Sequence, residues 1–214
     1  SEQELLYISL GKTIQKKTVL AQNISLIDHW LVVGIKIGNT IDKQLYRRVW
    51  LQGSSSHKMA LIEDFSYFNN PFEQQYQLGS IIHSRLYFYN QTAAWRGLLE
   101  QADSIDITAL QNWSSFACFE TALAAFHKAI VQNPWLRFYP FIIRDIAFYL
   151  DAKNKLQCLD IQNQSLPIQT VSEQNIWQLL ASSGGQAVPL MAEWDGQQLK
   201  PISILLDTKF IPLS

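Results

Sequence analysis

Consecutive β-type runs in this chain are joined by turns of only a few residues, and that spacing fixes how its strands can pair. Leu45 to Gln52 and Lys58 to Phe65 flank Gly53-Ser54-Ser55-Ser56. Phe141 to Leu150 and Lys155 to Ile161 flank Asp151-Ala152-Lys153-Asn154. Val188 to Trp194 and Leu199 to Leu206 meet across Asp195-Gly196, a dipeptide suited to the positive φ angles of a tight hairpin. Parallel neighbours need a crossover of a dozen residues or more, which these turns cannot supply. Antiparallel hairpins are therefore expected over 45–65, 141–161 and 187–206.

Two further β-rich runs, Trp30 to Ile37 and Ile81 to Tyr89, stand outside those hairpins. Helical patterning is predicted over Phe116 to Val131, where Phe119, Leu123, Phe126 and Ile130 fall on one stripe. Asn133-Pro134 stops that helix, because proline lacks an amide donor and restricts its predecessor. Shorter helices are expected over Glu2 to Leu20, with a break near Gly11, and over Gln91 to Gln101. Another runs from a Ser172 cap to Ser182, closed by Gly184 in the left-handed position. The fold class these signals predict is α+β, antiparallel strands in hairpins with several short helices. It takes the form of a single region over 1–214 or of two packed halves, 1–110 and 111–214.

Composition narrows the function classes. Apolar residues make up 48% of the 214 and charged residues 16%, with seven Trp, eight Tyr and eleven Phe. Such a chain can bury a large core and does not resemble a disordered one. A net charge of −1 gives no global attraction to nucleic acid or anionic lipid. No apolar run is long enough for a transmembrane helix and no signal peptide opens the chain, so a cytoplasmic location is expected. The start at Ser1 without Met reads as a fragment or a processed product.

Few side chains are spaced for chemistry. Cys118 and Cys158 belong to no C-x-x-C pair, and His29, His57, His83 and His127 are scattered without an i, i+4 pairing. Ser54-Ser55-Ser56-His57 is a close Ser/His grouping, but neighbours in a hairpin loop do not make a triad, and it reads as a polar turn. Gly184-Gly185 follows a helix, where the dipole has the wrong sign for a phosphate. Glu63-Asp64 and Glu193…Asp195 read as an ion-pair partner and a turn, respectively, with Arg47 expected opposite Glu63. No catalytic, cofactor or metal-ligating residue is assigned.

What remains is aromatic and basic surface. Tyr46, Arg48 and Trp50 alternate on one strand, and His83, Arg85, Tyr87 and Tyr89 on another. Side by side and exposed they would stack single-stranded nucleic acid; buried, they are core with Arg stems packed over it. Phe65, Tyr67, Phe68, Phe72, Trp135, Phe138, Tyr139 and Phe141 crowd into irregular segments and, where exposed, would form a contact patch. The candidate partner-binding residues are Tyr67, Phe68, Phe72, Arg48 and Trp50.

A family resemblance lies in ordered short matches along nearly the whole chain. They include Leu10-Gly-Lys-Thr-Ile14, Asp28-His-Trp-Leu-Val-Val-Gly34, Arg48-Val-Trp-Leu51 and Met59-Ala-Leu-Ile-Glu-Asp-Phe65. They continue through Leu86-Tyr-Phe-Tyr89, Asn133-Pro-Trp135, Leu150-Asp-Ala152 and the tail Ser183-Gly-Gly185…Glu193-Trp-Asp-Gly196. In these the chain resembles the C-terminal region of bacterial SWIM zinc-finger proteins. The resemblance implies a protein-interaction or scaffold module, with a MoxR-type AAA ATPase or a von Willebrand A domain protein as partner. The C-x-C and C-x-H steps of the finger are absent here, so no zinc function carries over. A nucleic-acid-associated role and a hydrolase with a site built from distant residues are the alternatives.

Overall fold

The computed structural model describes residues 25–40, 44–66, 72, 74–89, 95–100, 104–105, 113–169 and 173–213. The first half is a small β-barrel. Its strands are β1 (Ser25–Asn39), β2 (Leu45–Gly53), β3 (Met59–Ser66), β4 (Ile81–Phe88), β5 (Gly97–Leu99) and β6 (Ser104–Ile105). The order across the sheet is β3-β2-β1-β4-β5, all antiparallel, with β6 also pairing β4. The sheet then meets itself: Leu61 on β3 bridges Arg96 in parallel, and the Leu61 amide donates to the Trp95 carbonyl at 2.7 Å. One parallel contact thus closes an otherwise antiparallel order.

Strand β1 makes the barrel possible by serving both neighbours. Ser25 to Leu31 pair with β4 and Trp30 to Asn39 with β2. Between Val32 and Gly34 the register slips by one residue, and such a bulge bends a strand. Trp30, Val32, Val49, Leu51, Ala60, Ile62, Ile82, Leu86 and Phe88 fill the interior. The alternate residues Leu31, Val33, Trp50, Leu61 and Ile81 point outward.

The second half is a sheet in the order β11-β10-β9-β7-β8. Its strands are β7 (Tyr139–Leu150), β8 (Leu156–Leu159), β9 (Val188–Trp194), β10 (Leu199–Leu206) and β11 (Lys209–Pro212). Helices α1 (Phe119–Gln132) and α2 (Glu173–Ser183) cover one face. Phe119, Phe126, Ile176 and Leu179 pack there against Phe141, Ile143, Leu190 and Trp194. Asp160, 4% exposed, accepts the Phe119 amide at 2.8 Å and so places a carboxylate at the start of α1. The opposite face carries Ile142, Met191 and Ile202, which pack onto the outward residues of the barrel.

The sheet lies close because Gly34 has no side chain. A Cβ there would come within 3.0 Å of Ile202 Cγ2 and 3.2 Å of Met191 Cγ. Polar contacts pin the same seam. Ser203 donates its hydroxyl to the Val33 carbonyl at 2.6 Å. The Gln52 amide, 3% exposed, accepts the Ser114 N–H at 2.7 Å and donates to the Ser114 carbonyl at 2.9 Å.

Three expectations need correction. The fold is predominantly β, with eleven strands and two helices among the described residues, and the α+β class with several short helices does not hold. Where a helix was expected over 91–101, residues 97–99 form strand β5. The exposed edge of β4 needs hydrogen-bond partners there, and Gly97 permits contact so close that a Cβ would overlap Leu86 Cδ2. Arg47 faces Asp64 rather than Glu63, with 2.5 Å between Nη2 and Oδ2. His57 takes φ +55 and lengthens the loop, which moves the register by one. The helix expected over 2–20 and the Ser172 cap lie outside the described residues. The three hairpins, α1 and the left-handed Gly184 at the end of α2 are present.

Candidate functional site

Where the barrel meets the second sheet, an apolar seam ends in a charged node. Glu193 lies on the barrel-facing side of β9, 1% exposed. Its Oε1 accepts the Trp50 indole N–H at 2.9 Å. Its Oε2 lies 2.8 Å from Arg48 Nη2 and 3.9 Å from Lys36 Nζ. Phe138 lies over the Arg48 guanidinium at 4.3 Å and meets the Trp50 ring edge-on. Alternation puts Lys36, Arg48 and Trp50 on one face, since Lys36 pairs Arg48 and Gly34 pairs Trp50 across β1 and β2. Burial lowers the Lys36 pKa; Glu193 opposes that change, and Arg48 and Lys200 add to it.

Lys200 closes the outer side of the node, 2.9 Å from Asp195. Asp195 sits at the β9–β10 turn and accepts the amides of Gln197 and Gln198. Burial works against its charge, but Lys200 and those amides outweigh it and hold the carboxyl at about 2. The node contains acids and cations, yet each is engaged by a neighbour. Its chemistry is that of a clamp.

The Ser/His loop is likewise structural. Asp28, 4% exposed, accepts the amides of His29, Ser55 and Ser56 at 2.7, 3.1 and 2.9 Å. Burial alone would raise its pKa; the Ser56 hydroxyl and these amides bring it below the usual carboxylate range. A Cβ on Gly53 would overlap both Ser56 Oγ and Asp28 Oδ2, so glycine is required there. Glu63 pairs with Arg96 at 3.2 Å. Cys118 and Cys158 are free and buried, and burial pushes the Cys158 thiol up to about 11.

Of the residues singled out from sequence, Trp50 is fully buried and Arg48 nearly so, both in the node. Phe72 is half-buried beneath the Arg47 guanidinium, 4.3 Å away. Tyr67 and Phe68 lie outside the described residues. The two basic-aromatic strands are not neighbours, because β1 lies between β2 and β4. The second sheet covers Trp50, leaving His83 and Arg85 exposed.

Two arrangements escaped sequence reasoning. One is Glu193 as partner of Arg48 and Trp50, hinted at only by an acid between Ala192 and Trp194 in an apolar run. The other joins His29 and His83, which pair across β1 and β4 with rings stacked at 4.6 Å. Among the described residues no group of three or more His, Cys, Asp or Glu is placed to hold a metal ion, and no helix is long and apolar enough to cross a membrane.

Compared with protein-family models, curated proteins and solved structures, the chain matches none. The SWIM resemblance rests on the residues quoted for it.

Proposed function

We propose that this chain is a non-catalytic interaction module of a SWIM-type bacterial protein, acting in the cytoplasm as a rigid surface for a protein partner. The observation that carries this reading is how the interior polar groups are used. Glu193, Asp28, Asp160, Arg47 and Gln52 are buried, and each holds a backbone segment or an opposite charge. Large apolar side chains stand out from the second half instead. Val131 and Trp135, at and just beyond the end of α1, are 83% and 60% exposed, and Trp177 on α2 is 62% exposed. Tryptophan contributes heavily at protein interfaces, because its large rigid surface costs little entropy to place.

The partner class follows from the resemblance: a MoxR-type AAA ATPase or a von Willebrand A domain protein. Purified proteins of both kinds should be retained on the immobilised chain. Replacing Trp135 or Trp177 by Ser should weaken retention roughly thirtyfold, as for loss of a hot-spot residue, with thermal unfolding unchanged. If neither partner is retained, or both variants bind like the parent, the reading fails.

A second reading, nucleic-acid association, draws on the exposed strip Ile27, His29, His83 and Arg85. It requires affinity for single-stranded oligonucleotides that falls steeply with salt. Arg85 is already 3.8 Å from Glu100, which weakens the case.

A further inference from the structure

We propose that His29 and His83 form a surface chelate for a divalent late first-row metal ion of the Cu²⁺ or Ni²⁺ class. The two residues are 54 positions apart in sequence and become direct partners only when β1 pairs with β4. Both side chains are exposed, on the side of the sheet that carries Leu31 and Ile81. Their rings lie 4.6 Å apart at 25°, already side by side above adjacent strands.

Imidazole is a good ligand for these ions, and two nitrogens plus water suit their tetragonal preference. Metal–nitrogen bonds of about 2.0–2.1 Å require the donor atoms to approach roughly 3 Å. From a stacked pair this takes rotation of two exposed rings and no movement of the backbone. The backbone is restrained on the His29 side. Its carbonyl accepts both the amide and the hydroxyl of Ser54, at 2.8 and 2.9 Å. Asp28, next in sequence, is tied to the Ser55 and Ser56 amides. The strands therefore hold the first imidazole beside the second, and coordination by the second becomes intramolecular.

Arg85, the cross-strand partner of Ile27, is a cation on this face, and Glu100 partly offsets it at 3.8 Å. No third protein ligand is invoked, and water completes the ion's coordination. This distinguishes the pair from a closed structural site and from the zinc finger of the resembled family.

The probe is Ni²⁺ titrated into the intact chain, followed by calorimetry and by the histidine ring signals in NMR. The expected result is one site, with the His29 and His83 signals changing first. His29→Ala and His83→Ala should each weaken it about 100-fold, the loss of a chelating partner. His57→Ala and His127→Ala, which alter the other two exposed imidazoles, should leave it unchanged. Circular dichroism of each variant confirms that the barrel is intact. Absence of a stoichiometric site, or equal weakening by His57→Ala or His127→Ala, overturns the proposal.

Discussion

Trp50 on the barrel donates its indole N–H to Glu193 on the second sheet, joining residues 143 positions apart across a buried seam. The same carboxylate neutralises Arg48, so one acid satisfies a ring donor from one side and a cation from the other. The two halves are held in a fixed relation by this contact, by Ser203 on the Val33 carbonyl and by Gln52 on Ser114. A surface built across both halves would therefore be stiff.

Removing the node should be costly. Glu193→Ala leaves Arg48 buried beside Lys36 with no anion, and a loss of about 3–5 kcal/mol is expected in urea unfolding. Trp50→Phe removes the indole donor and one of its two fused rings, so an oxygen loses its partner and a cavity opens in the seam, for a loss of about 2–4 kcal/mol. Because both changes act on one contact, their combined effect should be smaller than the sum. Strict additivity would show that the bond does not couple the halves.

Asp28 should give the protein a stability that depends on acid. Its folded pKa lies below the ordinary carboxylate value, so the carboxylate is favoured by folding. That contribution is complete above the unfolded pKa and disappears as pH falls through the folded one. Asp28→Asn should be less stable than the parent at pH 7, and the gap should narrow below about pH 4. A gap independent of pH would mean that the amides of Ser55 and Ser56 do not depend on the charge.

Gly34 tests the fit of the seam. Gly34→Val should cost about 1–3 kcal/mol by overpacking against Ile202 and Met191. Shortening the neighbour with Ile202→Val should recover part of that loss in a double-mutant cycle. No recovery would place the strain elsewhere.

The cysteines should be nearly inert in the native state. Cys158 is fully buried with its pKa raised to about 11, which leaves little thiolate at neutral pH. Labelling with an aromatic disulfide at pH 8 should be slow for both Cys118 and Cys158, and become fast in denaturant. Rapid native labelling of either would indicate that the core around α1 and β8 opens readily.

Much of this molecule was written in local signals. Hairpin turns at 53–56, 151–154 and 195–196, the α1 stripe and its Asn133-Pro134 stop are short-range features, governed by φ preferences and by periodicity. Inward and outward residues of β2 were also legible, because strand alternation needs no knowledge of the partner. Strand β5 was not, since its apolar residues suit a helix equally well and only the edge of β4 selects the extended form.

The sequence by itself determined which of the longer segments are strands, where most of them turn and that their hairpins run antiparallel. Only the tertiary structure decided that the first sheet closes through Leu61 and Arg96, that Glu193 meets Arg48 and Trp50, and that His29 stands beside His83. The physical reason is range. A turn or a stripe depends on neighbours a few residues away, whereas closure and a shared charge depend on which surfaces exclude water together, and no local spacing encodes that choice.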